Sequence, residues 1–315
     1  MGDKIHVSVG NLNADITLFL GSLPDPDSAV EAAGALVSPG GAATNYAVAA
    51  ARYGHYPYLV ASAGNDRLSE EVLARVAAMG VNTRYVKRVE ASIGLVVSLV
   101  TRDGERRMVK YRGANEYLSP TDLPRHLLRE ASVVHVASIP PLIAGEMVEV
   151  AGRSGALVSY DPGAAALAEP ERVARVAARA DVLFLNRTEA RAMYSGLRGL
   201  LRQGLEVLVI KRGSAGAVAL TPNSAYVGTS RPVRQVVNAT GSGDALAAYF
   251  NAAYVDYGDV GRALLYGVAA GTLKASCKES HACWDRGLFE DQLSKASVSE
   301  VRAEQIDKVL EGLLA

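Results

Sequence analysis

Excess charge, cysteine and long apolar runs are what this chain has least of, and each shortage narrows the reading. Lys plus Arg and Asp plus Glu number 33 each, so the formal net charge is zero. Non-specific nucleic-acid binding leans on clustered positive charge, so nucleic acid is not an expected partner. No apolar run reaches the roughly 18 residues of a membrane helix, and no membrane partner is expected. The opening "MGDKIHVSVG" lacks the apolar core of a signal peptide, which makes the cytoplasm the default address. Two cysteines, Cys277 and Cys283, are too few for a zinc framework of about four ligands. Reduced thiols are the default. A disulfide is the alternative if the source is a hyperthermophile, towards which ten Asn and four Gln give a mild hint.

Familiar motifs are missing too. There is no G-x-x-x-x-G-K-[ST] loop and no G-x-G-x-x-G after a strand. The five histidines are scattered without H-x-x-x-H spacing, and His135 in "VVHVAS" reads as a core residue satisfied by hydrogen bonds.

What is present is a large core: 49% of the 315 residues are hydrophobic and 21% charged. Apolar runs such as "KIHVSVG", "YPYLVASAG", "SVVHVAS", "ALVSYDP", "DVLFLN", "EVLVIKRG" and "GAVAL" read as strands, several apolar on both faces. Helical patterns over Thr44–Tyr53, Glu70–Met79, Gly145–Arg153 and Glu171–Ala180 alternate with them. The rhythm predicts an α/β fold, a doubly wound and mostly parallel sheet flanked by helices. Residues 92–112 break it with a hairpin pattern around Asp103-Gly104, and residues 16–40 are expected to add strands. These segments predict a small β lid over a cleft, carried by one domain spanning 1–315. After residue 242 the chain is expected to be mostly helical, ending in a helix over Val298–Leu314.

The stretch "VNATGSGDAL" carries the most chemistry. Two glycines let the backbone bend closely, and a strong helix former follows at once. The N–H groups of Gly241, Ser242, Gly243 and Asp244 then sit at a helix N-terminus, a seat for phosphate. A carboxylate in the same turn is what removal of a hydroxyl proton needs. An ordinary helix cap explains the same residues. Further clusters follow strands, where open α/β sheets bind ligands. "GNLNAD" offers Asn13 and Asp15 to sugar hydroxyls, or is a solvated turn. Gly40-Gly41 precede a helix with Asn45 in its first turn. "NRTEA" spaces Asn186 and Glu189 for Mg²⁺ held through water, or for a cap. Gly213 and Gly216 in "KRGSAGAV" admit a nucleotide, or make a hairpin turn.

Taken in order, these clusters resemble the ribokinase, or PfkB, family of carbohydrate and nucleoside kinases over nearly the whole chain. "NATGSGD" is similar to that family's D-T-x-G-A-G-D signature and "GGAATNYAVAAARYG" to its amino-terminal signature. "GNLNAD", "GND" at 64–66, "YRGAN", "NRTEA" and "KRGSAGA" fall in the expected order. "GGAATN", "VSYDPG" and "LNRTEA" look close to archaeal nucleoside kinases. The resemblance implies transfer of the terminal phosphoryl of ATP to a hydroxymethyl of a nucleoside or ribose-like sugar. Asp244 would be the base, and the amides of Thr240 to Gly243 the anion hole. Glu189, with Asn186, would organise Mg²⁺, and Lys211, Gly213 and Gly216 would lie by the nucleotide. Asn13, Asp15, Gly41, Asn45 and Asn115, with Gly40 and Arg112, would hold the acceptor. In many relatives the lid also forms a homodimer.

Three departures matter. Asn238 stands where the signature normally has Asp; relatives activated by K⁺ use this neighbourhood, which bears on monovalent-cation activation. Ser242 replaces a common Ala. Glu279 follows Lys278 where several relatives have Gly, in a loop flanked by both cysteines, which keeps ADP as an alternative donor. Arg106, Arg107 and Arg112 offer a second reading, a clamp for a phosphate already on the acceptor, as in a ribose 1-phosphate kinase. A non-catalytic ligand-binding relative is the third.

Overall fold

The computed structural model describes residues 4–103, 105–301 and 312. Its strands are β1 (Ile5–Gly10), β2 (Asn13–Leu20), β3 (Ala32–Gly40), β4 (Tyr56–Gly64), β5 (Asn82–Val89), β6 (Gly94–Thr101), β7 (Arg106–Tyr111), β8 (Ala131–Ala137), β9 (Leu157–Asp161), β10 (Val182–Asn186), β11 (Val207–Lys211), β12 (Ala217–Leu220), β13 (Ala225–Ser230) and β14 (Ala296–Val301). A 10-stranded sheet runs β14-β13-β12-β11-β10-β9-β8-β1-β4-β5. Neighbours from β11 across to β5 are parallel, and β12, β13 and β14 extend that sheet antiparallel.

The period-two alternation of a strand explains why both faces are covered. In β10, Leu183 and Leu185 pack beneath the helices Pro141–Ala151, Pro170–Ala177 and Tyr194–Arg202. Val182 and Phe184 point the other way, into the helices Ala42–Tyr53, Ser242–Tyr257 and Val260–Lys274. The doubly wound α/β expectation is met. His135 is buried, and its Nδ1 lies 2.7 Å from the Ser159 hydroxyl.

A separate four-stranded sheet, β3-β2-β6-β7, is built from the two segments that broke the sequence rhythm. Register sorts its two faces. Val37, Ile16, Val97 and Val109 form one row, and Ser38, Asp15, Val96 and Lys110 the next, on the opposite face. The second face meets the turn before the helix Ser242–Tyr257 and the loop after Val260–Lys274, because Arg106 reaches Thr240 and Asp15 reaches Ser280 from it.

Several expectations need correction. The four helices begin and end at Ala42–Tyr53, Arg67–Ala78, Pro141–Ala151 and Pro170–Ala177. Capping decides the second start: Asp66 accepts from Ser69 N at 2.9 Å, which begins the helix at Arg67, three residues before the expected Glu70. Val298 lies in β14, not in a helix; "SVSEV" pairs along β13, and the remainder of that expected helix is outside the described residues, Gly312 apart. Gly104, in the expected hairpin turn, is outside them too. Cys277 and Cys283 are bonded in a disulfide, not reduced: their Cα atoms lie 5.9 Å apart, within bridging range.

Candidate active site

The turn before the helix Ser242–Tyr257 is held by close approach. Gly241 has φ +80°, and a Cβ there would overlap the Ser280 carbonyl oxygen. Gly243 lies so near Lys211 that a Cβ would stand 3.2 Å from its Cδ. Two of the turn's amides are already used: Thr240 N donates to Asn238 Oδ1 at 2.9 Å and Ser242 N to Ala239 O at 3.2 Å. Of the four amides expected to form an anion hole, those of Gly241 and Gly243 have no such bond among the described residues. The Ser242 hydroxyl is buried without a partner among the described residues.

Asp244 points into this space. Its Oδ2 accepts a hydrogen bond from Asn45 Nδ2 at 2.8 Å. Burial, reinforced by the Asp161 carboxylate, raises its pKa to about 6 against the pull of Asn45, Lys211 and Lys274. The residue retains partial exposure while its carboxyl is crowded by neighbours.

The small sheet brings the residues expected to hold an acceptor to the same place. The Ser280 hydroxyl donates to Asp15 Oδ2 at 3.0 Å and lies 3.3 Å from Asn45 Oδ1, linking Asp15 to Asp244 through two side chains. Asp15 Oδ1 is enclosed and has no partner among the described residues. Burial raises the Asp15 carboxyl to about 6, although Ser280, Lys110 and Arg106 all favour its charge. Gly40 is flush against that carboxyl, and Gly41, at φ +99°, against the Asn11 carbonyl. Asn115 Nδ2 donates to Asn13 Oδ1 at 2.8 Å, and Asn115 Oδ1 accepts from Leu12 N at 2.9 Å. Arg106 Nη1 donates to Thr240 Oγ1 at 2.6 Å, so the lid touches the turn directly. The Arg112 carbonyl accepts from Asn115 Nδ2 at 3.0 Å, but the side chains of Arg107 and Arg112 do not join the cluster. They lie on exposed surface beside Glu105 and Glu116, at 2.9 and 3.7 Å.

On the other side of the turn sits a charge cluster. Lys211 Nζ and Asp161 Oδ2 pair at 2.5 Å. Burial alone would lower Lys211, but Asp161, Glu189 and Asp244 together hold its ammonium above the ordinary lysine value. Glu189 is buried and raised, first by burial and then by Asp161. It also closes a capping box: Glu189 N donates to Asn186 Oδ1 at 3.0 Å, and Asn186 N donates to Glu189 Oε2 at 2.8 Å. Gly213 and Gly216 form the β11–β12 hairpin turn, where Arg212 N donates to Gly216 O at 2.8 Å. Local geometry alone accounts for both glycines.

Sequence reading missed Asp161, Lys110, Lys274 and Ser280. Asp161 had a signal, since it ends the parallel strand "LVSYD" at a Pro-Gly turn. Lys110 had one as well, two pairs of residues along β7 from Arg106. Ser280 and Lys274 had none, because only the fold brings them to the turn.

The profile of the family described as pfkB family carbohydrate kinase matches residues 4–286. An ATP-dependent ribose-1-phosphate kinase of Halopiger xanaduensis is 35% identical over 274 residues, 85% of this chain and 91% of that protein. The nucleoside kinase of Methanocaldococcus jannaschii, a ribokinase-family member of known structure, superposes with a TM-score of 0.83 at 22% identity over 93% of this chain and 100% of that one. An Arabidopsis thaliana ribokinase, solved with ribose and ATP, superposes with a TM-score of 0.80 at 24% identity over 93% and 99%. These two show a shared ribokinase-like fold.

Proposed function

The chain belongs to the pfkB family of carbohydrate kinases, and from that premise we propose that it phosphorylates ribose 1-phosphate on its hydroxymethyl, with ATP as donor. The observation that carries the choice of acceptor is the pair of lid cations on the Asp15 face. Arg106 bonds Thr240 in the turn, and Arg106 and Lys110 both act on Asp15. Free ribose or a nucleoside gives these charges nothing to neutralise, whereas a sugar phosphate does. The name of the Halopiger relative points the same way.

The chemistry follows from position. Asp15, Asn13 and Asn115 hold the ring hydroxyls, and the unpartnered Asp15 Oδ1 gains a donor when one arrives. Asp244 takes the proton of the hydroxymethyl as its oxygen bonds to the terminal phosphorus. The bond to the leaving phosphate oxygen breaks, giving ADP and a bisphosphorylated sugar. The Gly241 and Gly243 amides and Lys211 stabilise charge on the group in flight. Among the described residues no three His, Cys, Asp or Glu side chains gather to hold a metal. Mg²⁺ would be carried mainly by the phosphates and water, and Glu189 with Asn186 would hold it through water. When bound, Mg²⁺ neutralises phosphate charge.

The outward row Val37, Ile16, Val97 and Val109 gives the lid a second use, as a dimer face. Val37 is 40% and Val109 67% exposed, and Tyr111 extends the row's apolar edge. Sedimentation of the intact protein and of Val109→Asp tests this: a dimer that becomes a monomer is expected. Incubation with ATP and a panel of ribose 1-phosphate, ribose and nucleosides tests the acceptor. Turnover of ribose 1-phosphate well above the others supports the reading, and preference for an unphosphorylated acceptor sinks it.

A further inference from the structure

Lys274 is a fully buried lysine that phosphoryl transfer, as described above, does not use. It ends the helix Val260–Lys274, beneath the turn that precedes Ser242–Tyr257. Its Nζ donates to the Asn238 carbonyl at 2.9 Å. A buried ammonium without compensation is costly, so this placement requires an explanation.

The surroundings supply one. Asn238 is the knot of the turn. Its Oδ1 accepts from Thr240 N at 2.9 Å, its Nδ2 donates to Lys278 O at 2.9 Å, and Val237 N and Asn238 N both donate to Ala275 O, at 2.7 and 3.1 Å. The turn and the loop after Lys274 are thus sewn together through the Ala275 carbonyl and the Asn238 side chain, and the Lys274 ammonium sits on a second carbonyl, that of Asn238. Asp244 is close enough for its charge to favour the ammonium, and Lys274 in turn favours the Asp244 carboxylate. Burial draws Lys274 down to about 8, which leaves it charged at neutral pH. A compact cation on an inward carbonyl, beside an amide cradle for phosphate, is the arrangement an alkali ion would provide. The neutral Asn238 amide, in place of a carboxylate, adds no further charge to attract such an ion.

We propose that Lys274 is a positioning residue whose ammonium serves as a built-in monovalent cation under the anion turn, so that this kinase needs no K⁺. The lysine holds the Asn238 carbonyl inward and keeps the Gly241 and Gly243 amides aimed at the cleft. It touches neither substrate nor the reacting atoms.

The inference rests on the kinase reading, and its tests separate the two. The first uses the unaltered protein. Turnover in KCl, NaCl and choline chloride at equal ionic strength should agree within about twofold, since the cation is already present. Activation by KCl of tenfold or more overturns the proposal. The second uses Lys274→Ala, which opens space for an ion, and Lys274→Met, which fills it. Both should lose tenfold or more in kcat with smaller changes in KM. Ammonium, methylammonium or K⁺ should restore Lys274→Ala saturably and leave Lys274→Met unchanged. Wild-type kcat in a folded Lys274→Ala protein, or equal response of both variants, overturns it. Melting temperature reads the site without catalysis: ammonium should raise that of Lys274→Ala above its value in choline, and not that of the unaltered protein. If no acceptor is phosphorylated, the kinase reading fails while the melting comparison still decides the cation site.

Discussion

Asn45 and Asp244 are 199 residues apart in the chain and share a 2.8 Å hydrogen bond. Asn45 lies in the first turn of one helix and Asp244 in the first turn of another. The bond sets the rotamer of the carboxyl and joins it, through Ser280, to Asp15 on the lid. Asp244 and Asp15, the proposed base and acceptor ligand, are therefore one connected polar unit, and a change at one end should be felt at the other.

Replacing Asp244 by Asn should lower kcat by roughly 10²–10⁴ and leave KM nearly unchanged, because a general base acts in the transition state. The same variant should melt higher at pH 7. The folded-state pKa is raised above its unfolded value, so the stability this group contributes is complete only at low pH and is lost as pH rises through about 6. A neutral amide escapes that cost. Steady-state kinetics and thermal denaturation of one preparation check both.

The same pKa fixes the acid limb of activity. The carboxylate is the active form, and Asp15 is raised to about 6 beside it, so kcat/KM should fall tenfold or more per pH unit below about 6 and level off above it. Replacing Lys211 by Met removes a charge that favours the carboxylate, so the limb should move upward. A profile flat to pH 5 would remove Asp244 from the role of base.

How much of this was legible in the sequence follows from range. β10 and β11 announce themselves through unbroken apolar runs, and "NATGSGD" through glycines that only a tight turn before a helix requires. β5, with "NTRYVKRV", escaped notice because an edge strand exposed on one side carries charges. β14 escaped because its polar alternation earns its place only by pairing with β13. Arg106 and Arg112 were indistinguishable as basic residues near a hairpin. Strand parity separates them: Arg106 shares the face of Asp15, and Arg112 lies beyond the end of β7. Ser280 and Lys274 depend on contacts made across the fold, which no local pattern encodes.

Arg106→Ala and Lys110→Ala should raise KM for ribose 1-phosphate by roughly ten- to a hundredfold each, the size of a lost charge-assisted hydrogen bond. KM for free ribose should move far less. Equal effects on both acceptors would mean that these cations hold the lid, not the phosphate.

The disulfide braces the loop that carries Ser280, the residue against Gly241 and Asp15. Closing so short a loop contributes roughly 2 kcal/mol in the chain-entropy view. Paired Cys277→Ser and Cys283→Ser replacements should lower the melting temperature and raise KM for the acceptor, and a reductant should do the same to the unaltered protein. Unchanged acceptor KM would confine the bridge to stability.

The central claim is that an alcohol, deprotonated by Asp244, receives a phosphoryl group steadied by the Gly241–Gly243 turn. Phosphorus NMR of the protein with ATP, Mg²⁺ and ribose 1-phosphate tests it most directly. The account predicts loss of the terminal phosphate resonance, growth of ADP, and a new phosphate monoester on the sugar's primary carbon, all absent with Asp244→Asn. Release of inorganic phosphate alone, or an undiminished monoester from Asp244→Asn, would contradict it.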